Sequence, residues 1–472
     1  MVFATQITRV IDGVRRRRGQ VTDTPIPVHP DLPESGWKRL KAEIDATVDT
    51  RGGPVAARRR ATTIGLTYRE LSAEGRLRFL TGLGAEYGND DEAVDRAIDA
   101  VQAAEDQDTR RRAESELRAC LETKREVLLR RFAGPDGGLP LLIQMRADLL
   151  PHRQTSPELA ALERDLRSIL EGWFDVGLLR LERLTWSTSS SFLEKLIIYE
   201  AVHAIESWAD LKHRLGPGRR CYAFVHPAMP DDPLIFVEVA LTKDIARDLG
   251  PLMLPAAQRP AATEQNVDGS DFDESDFDTA IFYSISNCHD GLAGVSLGDF
   301  LIKSVVEELS DEMRDLRKFA TLSPIPGFRT WLTERLAAGD LELTDDDGPL
   351  DPAGLEEFTA LVSGPLPGAG DPGLDRFSPT LVGLAARYLM TERSPGRTRA
   401  LDPVAHFHLS NGARVEHINW LANRSATGWD RGLAMMVNYR YSLRDIERNH
   451  DRYADTGEVA ATDGVKKLLD GG

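Results

Sequence analysis

The balance of helix-like and strand-like segments changes near residue 180, which limits the chain to folds with two different parts. Before this point strong helix formers dominate, most clearly between Asp91 and Arg131. Apolar residues recur at helical spacing after Ser156-Pro157-Glu158, which places a proline and an acidic residue in a first helical turn. We therefore predict an all-helical N-terminal domain over residues 1–180, with a role in interaction or oligomerisation.

Strand-like runs alternate with helical segments in the second part of the chain. Leu234–Leu241 is apolar on both faces and Ala280–Ser286 is rich in β-branched and aromatic residues, so both are predicted as strands, the first of them central. Helices are predicted over Phe192–Trp208 and Phe300–Met313. A helical part followed by mixed strands and helices gives the fold class α+β, with a second domain over residues 181–472.

The second domain is also predicted to contain a hairpin and two insertions. Ala405–Leu409 and Arg414–Trp420 have the composition of strands, and Ser410-Asn411-Gly412 between them is typical of a hairpin turn. Gln258–Asp278 is acidic and poor in large apolar residues, and Asp340–Asp375 is rich in Asp, Gly and Pro. We predict that both segments are mobile insertions.

Composition argues against several classes of protein. The formal net charge of -17 over 472 residues disfavours general binding to nucleic acid or to an anionic membrane. No apolar run approaches the roughly 20 residues that span a bilayer. Three cysteines, Cys120, Cys221 and Cys288, are too few and too scattered for a disulfide framework or a zinc ribbon. No apolar segment follows the arginines at 15–18, so we predict no secretory signal and expect a cytoplasmic protein.

A glycine-rich segment joins the predicted strand Ala280–Ser286 to the next predicted helix. Glycines allow backbone amides to approach a ligand closely, and the start of a helix offers free N–H groups and a positive dipole end. This combination is typical of a pyrophosphate site, although glycines also end strands for structural reasons alone. The spacing of Gly291, Gly294 and Gly298 is neither a P-loop nor G-x-G-x-x-G, which disfavours ATP and NAD.

Ser323 lies just before a turn stiffened by two prolines, Pro324 and Pro326. A serine held in this way is well placed for hydrogen bonding, but the same segment is also compatible with a simple strand end. It lacks the G-x-S-x-G pattern of an α/β-hydrolase.

His406 and His408 would point to the same side of a strand, where two imidazoles are able to bind a metal. A metal site needs more ligands, and the remaining candidates show no ligand spacing, so we predict no metal. A single histidine acting as an acid or base is the favoured interpretation.

Three further polar residues have a functional and a structural interpretation. Glu200 and His203 would share a helix face, as in di-iron bundles, but no second copy of the motif occurs, which favours a structural hydrogen bond. Glu238 lies in the predicted central strand. Burial would raise its pKa and suit it to act as an acid, whereas a paired carboxylate is the commoner case.

Seven segments taken together resemble the malonyl-CoA decarboxylase family. They follow the family order and are spread across residues 181–441. The segments are LERLTW at 181–186, EKLIIYEAVHAIESWADLKHRL at 194–215, RRCYAFVHPAMPDDPLIFVEVALT at 219–242, TAIFYSISNCHDGLAGVSLGDFLIKSVVEEL at 279–309, FATLSPIPGF at 319–328, HFHLSNGARVEHINWLAN at 406–423 and MVNYRY at 436–441.

The resemblance implies an acetyltransferase-like (GNAT-type) second domain that converts malonyl-CoA to acetyl-CoA and CO2, with no cofactor beyond the substrate's own CoA. It implies that Ser323 in SPIPGF and His408 in FHL-x-NGA are the catalytic pair, with His408 as proton donor. Ser296 stands where some members carry Glu, so an orienting role of that carboxylate is lost here or passes to another group. The family's acyl-CoA loop maps onto Ala293, Gly294, Val295, Ser296, Leu297, Gly298 and Asp299.

Two other functions stay open at this point. One is a CoA-dependent acyltransferase on the same fold, and the other is an acyl-CoA sensor that binds the thioester and leaves it unchanged. Release of CO2 from malonyl-CoA without an acyl acceptor distinguishes the decarboxylase from both. We expect a homo-oligomer, a dimer or tetramer, that binds malonyl-CoA and neither nucleic acid nor a membrane.

Overall fold

The computed structural model describes residues 24–133, 137–254, 276–341, 343–345 and 348–469. The predicted insertion Gln258–Asp278 lies outside the described residues except for Asp276–Asp278. None of the helices in the described part of the chain is long and apolar enough to cross a membrane. The chain forms two compact units.

The first unit is helical, as predicted, and contains the described residues up to Leu178 together with His226–Pro230 and His289–Val295. Side-chain caps begin several of its helices, including Ser72 and a full capping box at Thr123. Its α-helices are α1 (Glu34–Val48), α2 (Pro54–Glu70), α3 (Ala73–Glu86), α4 (Asp91–Gln102), α5 (Gln107–Leu121), α6 (Lys124–Phe132), α7 (Gly138–Leu149) and α8 (Pro157–Trp173).

The second unit contains a mixed sheet with helices along its connections. Its helices are α9 (Ser190–Tyr199), α10 (Trp208–Arg214), α11 (Gly250–Met253), α12 (Leu297–Glu312), α13 (Phe328–Ala338), α14 (Pro352–Ser363), α15 (Pro372–Met390), α16 (Pro403–Ser410), α17 (Ala426–Gly432), α18 (Ile446–Thr456) and α19 (Asp463–Lys467). Its strands are β1 (Arg180–Leu184), β2 (Arg219–His226), β3 (Met229–Thr242), β4 (Thr279–Asn287), β5 (Lys318–Thr321), β6 (Ser323–Pro324), β7 (Thr344–Asp345), β8 (Gly348–Pro349), β9 (Arg414–Asn419) and β10 (Met436–Tyr441).

The strand order in the main sheet is β1-β2-β3-β4-β5-β10-β6, and β9 also pairs with β10, while β7 and β8 form a separate pair. The two predicted strands lie in β3 and β4 at the centre of the sheet. Both are apolar because both faces are covered, with Phe236 and Ile281 belonging to separate buried clusters.

Strands β4 and β5 run parallel and then separate. Their pairing ends at Phe282 and Thr321, after which β4 continues to Asn287 while Ser323 pairs with Val437 of β10. Helix α12 connects β4 to β5. This unit of strand, glycine loop, helix and parallel strand is the acetyltransferase-like arrangement that was predicted, and the fold class α+β is confirmed.

The prediction of a single helix over Phe192–Trp208 is wrong. Helix α9 ends at Tyr199, and the next helix begins only at Trp208. The chain turns because the Glu200 carboxylate accepts hydrogen bonds from the backbone N–H groups of Val202 and His203. Glu200 and His203 therefore do not share a helix face.

The predicted hairpin of Ala405–Leu409 with Arg414–Trp420 is also wrong in its first half. Residues 403–410 form helix α16, because Asp402 caps the backbone N–H groups of the first turn and Pro403 occupies the first helical position. Gly412, with φ of 77°, follows the end of this helix rather than linking two strands. The second half is confirmed as β9.

The segment Asp340–Asp375, predicted as a mobile insertion, contains regular structure. It includes β7, β8, helix α14 and the start of α15. Phe358 of α14 is fully buried and packs edge to face against Phe377 of α15, with 5.2 Å between the ring centroids. The many Asp, Gly and Pro residues were interpreted as irregular structure. Two of the Asp-Pro pairs, Asp351-Pro352 and Asp371-Pro372, are instead helix starts.

Candidate active site

Ser323 and His408, which lie 85 residues apart in the sequence, meet in the second unit. The distance from Ser323 Oγ to His408 Nε2 is 3.0 Å, and both side chains are buried. Ser323 reaches this position because it follows the point where β5 leaves β4 and pairs with β10. The structure thus brings the two predicted catalytic residues into hydrogen-bond contact.

His408 lies in the last turn of α16 and is held on both nitrogens. Its Nδ1 is 2.7 Å from the hydroxyl of Tyr441, and its ring stacks on Tyr439 with 4.5 Å between centroids. Only 2% of the residue is exposed, and this burial lowers the pKa of His408 to about 3. The imidazole of the free protein is therefore neutral.

A buried network fixes the serine side of the pair. The Ser323 hydroxyl donates to Thr321 Oγ1 at 2.9 Å, and Thr321 Oγ1 also accepts the backbone N–H of Tyr439 at 3.1 Å. Asn438 donates from Nδ2 to the carbonyl of Thr321 at 2.7 Å. These contacts join β5 to β10, so the position of Ser323 is set by the sheet rather than by a free loop.

His406 does not join this group. Two residues along a helix turn the side chain by about 200°, so His406 and His408 point in different directions. His406 Nδ1 is 2.9 Å from the hydroxyl of Tyr453 on α18. The prediction that both imidazoles face one side is wrong, because it depended on a strand.

The predicted acyl-CoA loop runs from an exposed bend into the start of α12. Ala293 and Gly294 are exposed, and Gly294 has a φ of 76°, which favours glycine. Ser296 is the N-cap of α12 but makes no side-chain capping bond. Val295 is half-buried, Leu297 is buried, and Asp299 lies in the first turn of α12.

The later part of the loop packs against the helix that carries His408. A Cβ atom at Gly298 would lie 2.5 Å from the ring of Phe407, so only glycine fits here. Phe407 precedes His408 directly. Gly298, one of the predicted loop residues, therefore lies next to the helix that carries His408.

Comparison with known proteins shows the family to which the chain belongs. The model of the malonyl-CoA decarboxylase C-terminal domain matches residues 177–472, and that of the N-terminal domain matches residues 87–174. The chain belongs to the malonyl-CoA decarboxylase family. As a member it is an enzyme of the carboxy-lyase class.

Relatives in this family cover nearly the whole chain. The mitochondrial malonyl-CoA decarboxylase of Anser anser anser is 34% identical over 442 residues, which is 88% of this chain and 84% of the relative. The crystal structure of malonyl-CoA decarboxylase from Rhodopseudomonas palustris is 38% identical with a TM-score of 0.80, covering 93% of this chain and 100% of that one. The crystal structure of malonyl-CoA decarboxylase from Agrobacterium vitis is also 38% identical with a TM-score of 0.80, and it covers 91% of this chain and 99% of that one.

Sequence reasoning missed two side chains that contact the Ser323–His408 pair. Tyr441 contacts His408, and Thr321 contacts Ser323. A signal for Thr321 was present, because alternate residues of a strand face the same side and Thr321 precedes Ser323 by two. Tyr441 ends the MVNYRY motif, but its partner depends on the pairing of β10 with β5.

The remaining polar candidates have structural roles, as the residue patterns favoured. Glu200 accepts the hydroxyls of Ser284 at 2.7 Å and Ser286 at 3.2 Å, in addition to its two backbone contacts. Glu238 is paired with Arg214 at 3.0 Å, and burial raises the pKa of Glu238 to about 8. Across the described residues, no group of three or more His, Cys, Asp or Glu side chains is placed to hold a metal ion.

Proposed function

We propose that this protein converts malonyl-CoA to acetyl-CoA and CO2, with His408 as proton donor and Ser323 as its catalytic partner. The observation that supports this most directly is the 3.0 Å contact between Ser323 Oγ and His408 Nε2 in a chain of the malonyl-CoA decarboxylase family. Loss of CO2 leaves an enolate, whose charge the thioester carbonyl delocalises. The protein must therefore stabilise one oxyanion and supply one proton to the former Cα.

Because His408 is neutral in the free protein, it must take up the proton that it donates when the substrate binds. Burial favours the uncharged imidazole, whereas the carboxylate of a bound malonyl group beside the ring favours the imidazolium. We propose that substrate binding draws a proton onto His408 and that loss of CO2 then transfers it to Cα. One proton is taken from solvent and one C–H bond forms for each C–C bond broken, and His408 returns to its neutral state.

Ser323 is suited to the developing oxyanion. Its hydroxyl is a hydrogen-bond donor in a buried site, where such a donor is worth more than in water. The hydroxyl hydrogen can turn from Thr321 toward the thioester oxygen by rotation about the Cβ–Oγ bond, and Thr321 Oγ1 still accepts the backbone N–H of Tyr439. Tyr441 takes the place of the loop Glu that some family members carry at Ser296, since its hydroxyl orients the His408 ring.

The acyl-CoA loop is proposed to bind the diphosphate of CoA through backbone amides. Ser296 caps α12 without a side-chain bond, so the amides of the first turn stay available to an anion. Gly294 supports the bend with its positive φ, and Gly298 allows close packing on Phe407. The proposed binding residues are Ala293 to Asp299.

Replacing Ser323 with alanine is expected to lower kcat about 10²-fold, the loss typical of one oxyanion donor. The affinity for CoA should stay within about threefold, because the hydroxyl meets the reacting acyl group and not the CoA phosphates. Steady-state kinetics with malonyl-CoA and calorimetry with free CoA separate the two effects. Ser310→Ala is the matched control, since the Ser310 hydroxyl contacts only its own helix. A rise in KM with unchanged kcat would contradict the assigned role.

Chelation is expected to leave activity unchanged. The described residues place no cluster of metal ligands, and the thioester itself delocalises the enolate charge. Turnover is measured before and after treatment with EDTA. Activity that is lost to the chelator and restored by one divalent cation would contradict the metal-free mechanism.

Incubation of the purified protein with malonyl-CoA and no acyl acceptor tests the proposed function. We expect equal amounts of CO2 and acetyl-CoA. Turnover only in the presence of an amine acceptor would support an acyltransferase instead, and binding without any turnover would support an acyl-CoA sensor.

A further inference from the structure

A buried arginine of the helical unit holds the carbonyl groups of the bend that leads into the acyl-CoA loop. Arg146 of α7 is 1% exposed. Its Nη1 donates to the carbonyl oxygens of Gly291 at 2.7 Å and Ala293 at 2.8 Å. Its Nε and Nη2 donate to Glu163 on α8 at 3.1 Å and 2.7 Å. One guanidinium therefore fixes two peptide groups of the bend and is itself fixed by a carboxylate.

These contacts determine the direction of a backbone amide. In a trans peptide the carbonyl of one residue and the N–H of the next point to opposite sides. The carbonyl of Ala293 points at Arg146, so the N–H of Gly294 points away from Arg146. That N–H donates to no acceptor among the described residues, whereas the N–H of Val295 is already bonded to the carbonyl of Leu292.

Close packing keeps the bend on α7. A Cβ atom at Gly291 would lie 2.0 Å from the carbonyl oxygen of Ile143, so only glycine allows this approach. Arg167 of α8 adds a second contact, with Nη2 2.9 Å from the carbonyl of Gly294. Unlike Arg146, Arg167 is partly exposed, and it also pairs with Glu171 at 2.8 Å.

We infer that Arg146 is a positioning residue for CoA: it holds the peptide between Ala293 and Gly294 so that the Gly294 N–H points at the diphosphate. The inference rests on the proposed function of this loop. Arg146 does not touch the ligand itself. Its planar fork matters because a lysine in its place offers a single ammonium group that cannot hold two carbonyls and Glu163 in one plane.

The test compares Arg146→Lys with a matched control, Arg125→Lys. Arg125 is also buried in the helical unit and pairs with Asp165 at 2.6 Å and with the carbonyl of Gly84 at 3.2 Å, but it does not contact the loop. Calorimetry gives the affinity for free CoA. We expect Arg146→Lys to weaken CoA binding about tenfold, one charge-assisted hydrogen bond at the low end, and Arg125→Lys to leave it unchanged.

A second readout separates positioning from general damage to the fold. Malonyl-pantetheine lacks the diphosphate, so kcat/KM for it should be the same in Arg146→Lys and in the wild type, while kcat/KM for malonyl-CoA falls. If Arg146→Lys fails to fold, Glu163→Gln loosens the same guanidinium and should show a smaller loss of CoA affinity in the same direction.

Three results would overturn the inference: unchanged CoA affinity in Arg146→Lys, equal losses in both arginine variants, or an equal fall in kcat/KM for malonyl-pantetheine and malonyl-CoA. Failure of the proposed function looks different. A wild-type protein that binds CoA but releases no CO2 would refute the decarboxylase, while the affinities of the two arginine variants would still decide the role of Arg146.

Discussion

His408→Ala is expected to lower kcat by about 10²–10⁴-fold, the range that a positioned acid or base contributes. In the proposed mechanism this side chain supplies the proton for Cα, and Ser323 and Tyr441 contact it from opposite sides. Steady-state turnover of malonyl-CoA measures the effect. Binding of free CoA should change little, because the imidazole lies at the acyl end of the substrate.

His406→Ala is the matched control for this experiment. It removes an imidazole from the same turn of the same helix, so any general disturbance of α16 is shared by both variants. His406 contacts Tyr453 and not the serine, and we expect its loss to reduce turnover by less than about threefold, well below the range for an acid or base. Equal losses in the two variants would contradict the assignment and support a two-histidine site.

Arg214→Met is expected to destabilise the protein by about 3–5 kcal/mol, as breaking a buried ion pair does. Arg214 is 2% exposed and holds Glu238, Asp210 and the carbonyls of His203 and Ala204. Without it, the buried Glu238 loses the guanidinium that is hydrogen-bonded to it. Urea unfolding followed by tryptophan fluorescence measures the loss.

The double variant Arg214→Met with Glu238→Leu is the control, since removing both charges should recover most of the stability. The single variant should also depend on pH. Arg214 lowers the pKa of Glu238, so its removal raises that pKa further above the ordinary value of 4.5. Between 4.5 and the raised pKa the folded state holds a proton that the unfolded state lacks, so stability falls as pH rises. A stability loss that is unchanged in the double variant would show that packing, and not the buried charge, causes the effect.

The central strands were predictable because their surroundings impose a simple pattern. Leu234–Leu241 and Ala280–Ser286 are covered on both faces, and a continuous apolar run of this length is typical of such strands. Helix α16 was missed because alternating polar and apolar letters at 406–409 look like a strand, while its true start at Asp402 and Pro403 lies just outside that window.

The proposed catalytic pair was predictable only through the family resemblance, since neither Ser323 nor His408 has a sequence pattern that identifies its partner. Their contact depends on where β5 leaves β4, which is a property of the whole sheet. The same holds for Arg146, whose acceptor Gly291 is 145 residues away in the sequence. At Glu200 the prediction failed for a local reason. Its carboxylate accepts hydrogen bonds from nearby backbone N–H groups, which end helix α9 although the apolar spacing that follows is helical.

The most direct test of the central claim follows the reaction in D2O. Purified protein is incubated with malonyl-CoA alone, CO2 is quantified, and the acetyl-CoA formed is examined by mass spectrometry. We expect one CO2 for each acetyl-CoA and one solvent-derived deuterium in its methyl group, with both products reduced in parallel in His408→Ala and Ser323→Ala. Malonyl-CoA that is bound but recovered unchanged, or consumed without release of CO2, would contradict the account.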